Sequence, residues 1–238
     1  MRWTIRLWPV FVALAACAGI GTAFAGPPDY TTERAQMVDR LRRSGITDQH
    51  VLTAMRRTPR HLFCRPSDRP RAYDDMTIPV GRGEALYEPL VVARATQELD
   101  LRPGRKVLQV GVGCGYCTAV LAEMTSNVYA IDTRLDLVRA GKARLSALGY
   151  SSIQWKSGKG CLGWSEFAPY DAIIVLCAAE TIPPSLVNQL KDGGHMVIPV
   201  GTGPEQTLNC LSKVGGKLQN KAVMPIRVDL MICRPSPL

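Results

Sequence analysis

Hydrophobic and polar positions along this chain fall into blocks that predict strands and helices in alternation. Short apolar runs of the kind found in buried parallel strands occupy residues 107–110, 128–131, 153–155, 172–176 and 195–200. Segments with helical spacing lie between them, near residues 116–124, 135–148 and 184–190. This alternation predicts an α/β fold built on a doubly wound parallel sheet.

Further elements are predicted on both sides of this body. One helical pattern begins at Thr31 and stops at Gly45, and Thr47 is predicted to cap a second helix that ends at Pro59. After a Pro- and Gly-rich stretch, a third helix is predicted at residues 90–99. The chain closes with β-like runs at residues 207–212 and 223–232, which predict an antiparallel strand pair on the sheet edge.

The composition is typical of one globular domain and not of a disordered chain. The 238 residues are 46% hydrophobic and 21% charged, which is enough apolar surface for a full core. The net charge is +9, and residues 1–25 contain Arg2, Arg6 and no acid, so the rest keeps 27 − 20 = +7. This excess is moderate, and no lysine-rich or aromatic-interleaved segment indicates nucleic-acid binding.

Residues 1–25 have the three parts of an export signal. Arg2 and Arg6 form a positive region, residues 7–16 form an apolar region, and residues 23–25 (Ala-Phe-Ala) form a cleavage site. We therefore expect a signal peptide and an exported protein, periplasmic or associated with the envelope. The protein would be cytoplasmic if this segment does not export it.

Two alternatives to simple cleavage remain open. Residues 14–17 (Leu-Ala-Ala-Cys) resemble a bacterial lipobox, which would make Cys17 a lipidated N-terminus. The uncharged run at residues 7–28 is also nearly long enough to remain as a membrane anchor. In each case we expect residues 26–238 to form a single domain, with membrane contact only through the N-terminal segment.

The segment C-G-Y-C at residues 114–117 has two interpretations. Cys114 and Cys117 would be either a redox pair or half of a metal site, or simply two small residues at a tight strand-to-helix turn. The sequence contains no second C-x-x-C and no H-x-x-x-H motif that would complete a metal site. We therefore expect no bound metal.

The segment K-V-L-Q-V-G-V-G-C-G-Y, residues 106–116, is the strongest indication of a ligand site. A buried strand runs into three alternate glycines (Gly111, Gly113 and Gly115), where the backbone can turn tightly and approach a ligand. Asp132 ends the next apolar run, close to the ~20-residue offset of an acid that binds ribose hydroxyls. This arrangement predicts a nucleoside-binding domain.

The spacing of the glycines distinguishes between nucleoside cofactors. The dinucleotide pattern is G-x-G-x-x-G, and here the third glycine comes one residue too early. The G-x-G-x-G form resembles the S-adenosylmethionine loop of methyltransferases, which does not surround a pyrophosphate. A nicotinamide-dependent oxidoreductase is therefore disfavoured.

Longer motifs in the same order and spacing resemble the protein-L-isoaspartate (D-aspartate) O-methyltransferase family along nearly all of residues 35–227. The matching segments are M-V-D-R-L-R-R-S-G-I-T-D (37–48), V-L-T-A-M-R-R-T-P-R-H-L-F (51–63), I-P-V-G-R-G (78–83), A-P-Y-D-A-I-I-V (168–175) and G-G-H-M-V-I-P-V-G (193–201). The resemblance implies a Rossmann-like fold. It also implies methyl transfer from S-adenosylmethionine to the carboxylate of L-isoaspartyl residues in damaged proteins. We expect the protein to be a monomer.

The resemblance also implies which residues form the site. The cofactor would be held by Gln109, Gly111, Gly113, Gly115, Asp132 and Lys159. Tyr87 stands where the family has a serine thought to contact the substrate carboxylate near the methyl donor.

Several of these positions depart from the family pattern. The family motif Q-T-I-S-x-P reads E-A-L-Y-E-P at residues 84–89, and E-I-G-x-G begins with Gln109. The family motif G-D-G, whose aspartate contacts the adenine, reads G-K-G at residues 158–160, so Lys159 replaces the aspartate. The motif R-F-V-P-L reads R-V-D-L-M at residues 227–231.

These departures bear on catalysis at the acceptor side. A carboxylate acceptor is ionised at neutral pH, so methyl transfer requires alignment and no general base. Glu84 and Glu88 would repel such an acceptor unless a cation such as Arg82 or Lys159 offsets them. The competing hypothesis is a catalytically impaired family member that acts as a peptide- or partner-binding module.

Overall fold

A computed structural model describes residues 29–231 of this chain. The predicted export signal, the cleavage site and Cys17 lie outside the described residues, so the location of the protein stays a prediction. Within residues 29–231, no helix combines the length and the apolarity needed to cross a membrane.

The structure is an α/β fold with a seven-stranded, mostly parallel sheet and a separate hairpin. The hairpin strands are β1 (Ile78–Gly81) and β2 (Glu84–Leu86). The sheet strands are β3 (Lys106–Val110), β4 (Asn127–Asp132), β5 (Gln154–Ser157), β6 (Tyr170–Val175), β7 (Leu190–Val200), β8 (Gln206–Val214) and β9 (Lys217–Ile226). Their order is β5-β4-β3-β6-β7-β8-β9, with β3 to β7 parallel and β8 and β9 antiparallel. The predicted fold class is confirmed.

Six helices surround the sheet in the described part of the chain. They are α1 (Thr31–Arg43), α2 (Gln49–Arg57), α3 (Pro89–Gln97), α4 (Tyr116–Met124), α5 (Leu135–Ala147) and α6 (Pro184–Gln189). Short 3-10 turns occupy Arg60–Phe63, Pro66–Arg71, Gly160–Leu162 and Ser165–Phe167. The three N-terminal helices and the three helices of the α/β body lie where the sequence pattern predicts them.

The cap of helix α2 differs from the prediction by one residue. Asp48, not Thr47, is the N-cap, and its Oδ1 accepts a hydrogen bond from the backbone N–H of His50 at 2.8 Å. The backbone N–H of Thr47 instead donates to Oε1 of Gln97 at 2.8 Å. A carboxylate also offsets the positive end of the helix, so aspartate is the better cap here.

The last strand also lies earlier in the chain than the predicted run at residues 223–232. Gly215 and Gly216 both have positive φ, at 58° and 74°, and form a two-residue turn that pairs Val214 with Lys217. Glycines at both turn positions match the twist of a tight hairpin. Strand β9 therefore begins with exposed and mostly polar residues and ends at Ile226, so residues 227–231 lie beyond it.

The core lies in two layers, one on each face of the sheet. On β3, Val107 packs into one layer, whereas Leu108 and Val110 pack into the other. On β6, Ala172 and Ile174 likewise face the first layer. Since successive side chains of a strand point to opposite faces, both faces of these central strands are covered, as in a doubly wound sheet.

Gly141 of α5 lets this helix approach the sheet and the glycine-rich loop. A Cβ built on Gly141 would lie 2.9 Å from Cγ1 of Val112 and 3.1 Å from the ring of Trp155. We expect Gly141→Ala to destabilise the fold by about 1–3 kcal/mol through overpacking. In a helix interior without such contacts, replacing glycine with alanine would instead increase stability by about 1 kcal/mol.

Urea unfolding followed by far-ultraviolet circular dichroism measures this effect. Ser146→Ala, at an exposed position of the same helix, is the control and should change stability by less than about 0.5 kcal/mol. A more stable Gly141→Ala protein would contradict the close packing of α5 on Val112.

Candidate active site

A cavity of about 390 Å³ opens at the carboxyl ends of strands β3, β4 and β6. The chain passes from β3 outward to β4 on one side and later returns to β6 on the other side of β3. Ligands of doubly wound sheets bind at such a switch in strand order. The other walls come from the hairpin residues 83–87, from α3, and from the C-terminal segment at residues 226–231.

The glycine-rich loop after β3 forms the floor of this cavity. Gly111 and Gly113 line it, and Gly113 has a φ of 54° and a virtual Cβ only 3.3 Å from Oε2 of Glu84. Gly115 is not on the wall. It begins helix α4, where a Cβ would lie 3.0 Å from Leu145. Two of the three predicted glycines therefore face the cavity, and the third makes room for α5.

Asp132 lines the cavity at the end of β4 and is 8% exposed. Its Oδ2 accepts a hydrogen bond from the backbone N–H of Val112 at 2.7 Å, and its Oδ1 accepts one from the N–H of Arg134 at 2.9 Å. The carboxylate thereby joins the glycine-rich loop to the turn between β4 and α5. Its position on the cavity wall is fixed by these two bonds.

The structure does not place Gln109 and Lys159 on the cavity wall. Gln109 is fully buried in β3, and its Nε2 donates to the carbonyl of Gly111 at 2.8 Å, while its Oε1 has no partner within the described residues. Lys159 is exposed, and the neighbouring Gly160 lines the cavity instead. Gln109 thus supports the loop from behind. Since neither side chain lines the cavity, these positions do not favour the direct cofactor contacts predicted for them, and ligand binding by a Lys159 variant tests this.

Tyr87 lies on the cavity wall between β2 and α3 and is half-buried. Burial raises the pKa of its phenol, and the nearby carboxylates of Asp229 and Glu84 raise it further. The hydroxyl therefore stays protonated at neutral pH and can donate a hydrogen bond into the cavity.

Arg134 offsets the charge of Glu84, a role that the sequence analysis assigned to Arg82 or Lys159. The Arg134 Nη1 lies 3.3 Å from Oε1 of Glu84 and donates to the carbonyl of Arg82 at 2.6 Å. Its Nη2 lies 3.0 Å from Oδ2 of Asp136. Arg134 thus fastens the β1–β2 hairpin to the turn that holds Asp132. The second acid that was expected to repel a carboxylate, Glu88, is not on the cavity wall.

The C-terminal segment closes one side of the cavity, which the sequence analysis did not foresee. Val228, Asp229, Leu230 and Met231 line it beyond the end of β9. The backbone of Ala178 donates to the carbonyl of Asp229 at 2.8 Å and accepts from the N–H of Met231 at 2.7 Å. The sequence signal for this wall is the segment R-V-D-L-M at residues 227–231, but it lies within the β-like run at residues 223–232, which predicts a strand.

Cys114 and Cys117 also line the cavity, and neither forms a disulfide. Burial raises the pKa of both thiols, and that of Cys117 reaches about 12. Both side chains are therefore thiols and not reactive thiolates at neutral pH. Within the described residues, no group of three histidine, cysteine or acidic side chains could hold a metal ion.

Solved structures share this architecture. A protein-L-isoaspartate O-methyltransferase superposes with a TM-score of 0.75 at 23% identity over 83% of this chain and 65% of its own. A Plasmodium falciparum protein, solved as a beta-aspartate methyltransferase with S-adenosyl-L-homocysteine, gives a TM-score of 0.72 at 20% identity over 86% and 99% of the two chains. This chain therefore has the Rossmann-like fold of these two structures.

Residues 32–230 match the family Protein-L-isoaspartate(D-aspartate) O-methyltransferase (PCMT), and the chain belongs to this family. A protein-L-isoaspartate O-methyltransferase from Dictyoglomus thermophilum is 40% identical over 200 residues, which is 84% of this chain and 91% of the relative. One from Alcanivorax borkumensis is 42% identical over 196 residues, or 82% and 89% of the two chains. The predicted family membership is confirmed.

The environment of Glu84 predicts a pH dependence of stability. Burial raises the pKa of Glu84 above its ordinary value of 4.5, and Asp132 raises it further, while Arg134 opposes both. Between the unfolded and the folded pKa the native state binds more protons, so this group stabilises the fold less as pH rises. We expect the stability of Glu84→Gln relative to the wild type to rise as the pH increases above about 4.5.

Urea unfolding at a series of pH values measures this difference. Glu88→Gln makes the same charge change at a residue that does not line the cavity, and it serves as the control. An equal gain in Glu88→Gln would assign the effect to net charge and contradict the role of the cavity.

Proposed function

We propose that this protein transfers the methyl group of S-adenosylmethionine to the carboxylate of L-isoaspartyl residues in damaged proteins, as the first step of their repair. The observation that carries this proposal is one cavity, in a chain of this family, lined by Gly111, Gly113, Asp132 and Tyr87. The curated relatives carry the name of this activity.

The residues of the cavity fit S-adenosylmethionine. A volume of about 390 Å³ lies within the roughly 300–1,000 Å³ of small-molecule sites. Gly111 and Gly113 expose backbone without a Cβ, and Asp132 keeps acceptor positions for ribose hydroxyls, because a carboxylate has about four and two are used. When bound, S-adenosylmethionine supplies an electrophilic methyl group on a sulfonium.

The acceptor needs orientation more than activation. An isoaspartyl carboxyl has an ordinary pKa of about 4 and is ionised at neutral pH, so no side chain has to remove a proton. Tyr87 supplies a protonated hydroxyl on the wall of the cavity, and we assign it the task of holding one acceptor oxygen. Alignment of two bound reactants of this kind contributes up to ~7–11 kcal/mol to catalysis.

Tyr87→Phe tests this role together with the reaction itself. We expect the wild type to transfer radiolabelled methyl groups from S-adenosylmethionine to a peptide with isoaspartate and not to the same peptide with aspartate. Loss of a hydrogen bond to a charged group costs about 1.5–3 kcal/mol, so Tyr87→Phe should lower kcat/KM about 10- to 100-fold.

Tyr129→Phe, on β4 and away from the cavity wall, is the matched control and should keep wild-type activity. Transfer that is equal for Tyr87→Phe and wild type would remove Tyr87 from the reaction. No isoaspartate-dependent transfer by the wild type, with peptide binding intact, would replace the proposed function with that of a peptide-binding module.

A further inference from the structure

Acidic side chains outnumber basic ones on the cavity wall. Three are acidic, Glu84, Asp132 and Asp229, and one is basic, Arg134. An acceptor that enters as a carboxylate meets this wall, so the excess of negative charge must affect which acceptors bind well. The inference drawn from it rests on the proposed function and concerns the residues next to the isoaspartate.

Three of these four charged side chains, Asp132, Arg134 and Glu84, are bonded within the protein itself. Asp132 accepts two backbone hydrogen bonds, at 2.7 and 2.9 Å. Arg134 divides its guanidinium between Glu84 at 3.3 Å and Asp136 at 3.0 Å. Asp229 remains, and its carboxylate forms no hydrogen bond or ion pair with any residue between 29 and 231.

Asp229 is held in place although its side chain is exposed. The carbonyl of Asp229 and the N–H of Met231, two residues on, are both bonded to Ala178, at 2.8 and 2.7 Å. The carboxylate is therefore presented at the rim of the cavity by a fastened backbone. It lines the same cavity as Tyr87 and Glu84, and its charge raises the pKa of both groups. Since Tyr87 is the residue assigned to the acceptor, we assign Asp229 to the acceptor side of the cavity.

We propose that Asp229, assisted by Glu84, makes this enzyme prefer isoaspartyl residues flanked by lysine or arginine and disfavour those flanked by aspartate or glutamate. A cationic side chain beside the isoaspartate pairs with Asp229 and compensates for the repulsion of the acceptor carboxylate. An acidic neighbour adds to the repulsion. Since Asp229 is exposed, each unit of charge should change kcat/KM about two- to fivefold.

Two series of otherwise identical isoaspartyl peptides test this preference with the full-length protein. One series carries lysine, glutamine or glutamate before the isoaspartate, and the other carries them after it. In at least one series we expect kcat/KM to fall from lysine to glutamine to glutamate, with a lysine-to-glutamate ratio of about four to twenty-five at low salt. The ratio should approach one at about 0.5 M salt, because the pairing charges are exposed.

Asp229→Asn removes the charge with little change in shape, and it should lower the lysine-to-glutamate ratio at least threefold. Glu88→Gln removes a charge from outside the wall and should leave the ratio unchanged. Binding of the same peptides is measured in parallel by fluorescence anisotropy with S-adenosyl-L-homocysteine present, which requires no turnover.

The two readouts separate this inference from the proposed function. Binding that favours lysine and depends on Asp229, without methylation of any peptide, supports the inference and overturns the proposed function. Methylation with a ratio near one in both series, or a ratio that Asp229→Asn does not change, overturns the inference alone. The absence of both binding and methylation overturns both.

Discussion

The carboxylate of Asp132 is the contact on which the rest of this site depends. It accepts the backbone N–H groups of Val112 and Arg134 and so joins the two turns that follow neighbouring strands β3 and β4. Both turns would otherwise expose unpaired backbone groups at the open end of the sheet. These bonds fix the glycine-rich loop, and Asp132 itself lines the cavity that this loop borders.

The same arrangement explains how an altered set of charges is accommodated. Arg134 follows Asp132 by two residues, so the turn that Asp132 holds also directs the guanidinium toward the β1–β2 hairpin and Glu84. A glutamate in the first position of the family's Q-T-I-S motif therefore has a partner built into the cofactor turn. Asp229 has no such partner among the described residues, and the site as a whole remains acidic.

The pattern of apolar residues and glycines along the chain was sufficient to predict the buried strands and the glycine-rich loop. Buried strands show as apolar runs, and a strand followed by alternate glycines predicted the loop correctly. Longer motifs identified the family.

The three- and four-residue strands of the hairpin, and the polar strand β9, bury too little apolar surface to leave such a pattern of apolar runs. The pairing of Glu84 with Arg134 joins segments 50 residues apart, and no local signal encodes it. Motif alignment likewise could not show that Gln109 points behind the loop and that Lys159 faces solvent.

Calorimetric titration of the full-length protein with S-adenosyl-L-homocysteine tests the central claim, that Asp132 and the loop it holds form the cofactor site. We expect binding by the wild type and, within about threefold, by Lys159→Ala. Asp132→Asn keeps the shape but loses one acceptor oxygen, and it should weaken binding at least tenfold, or by about 1.4 kcal/mol. Circular dichroism verifies that each variant is folded. Binding that Asp132→Asn leaves intact and Lys159→Ala abolishes would contradict this account.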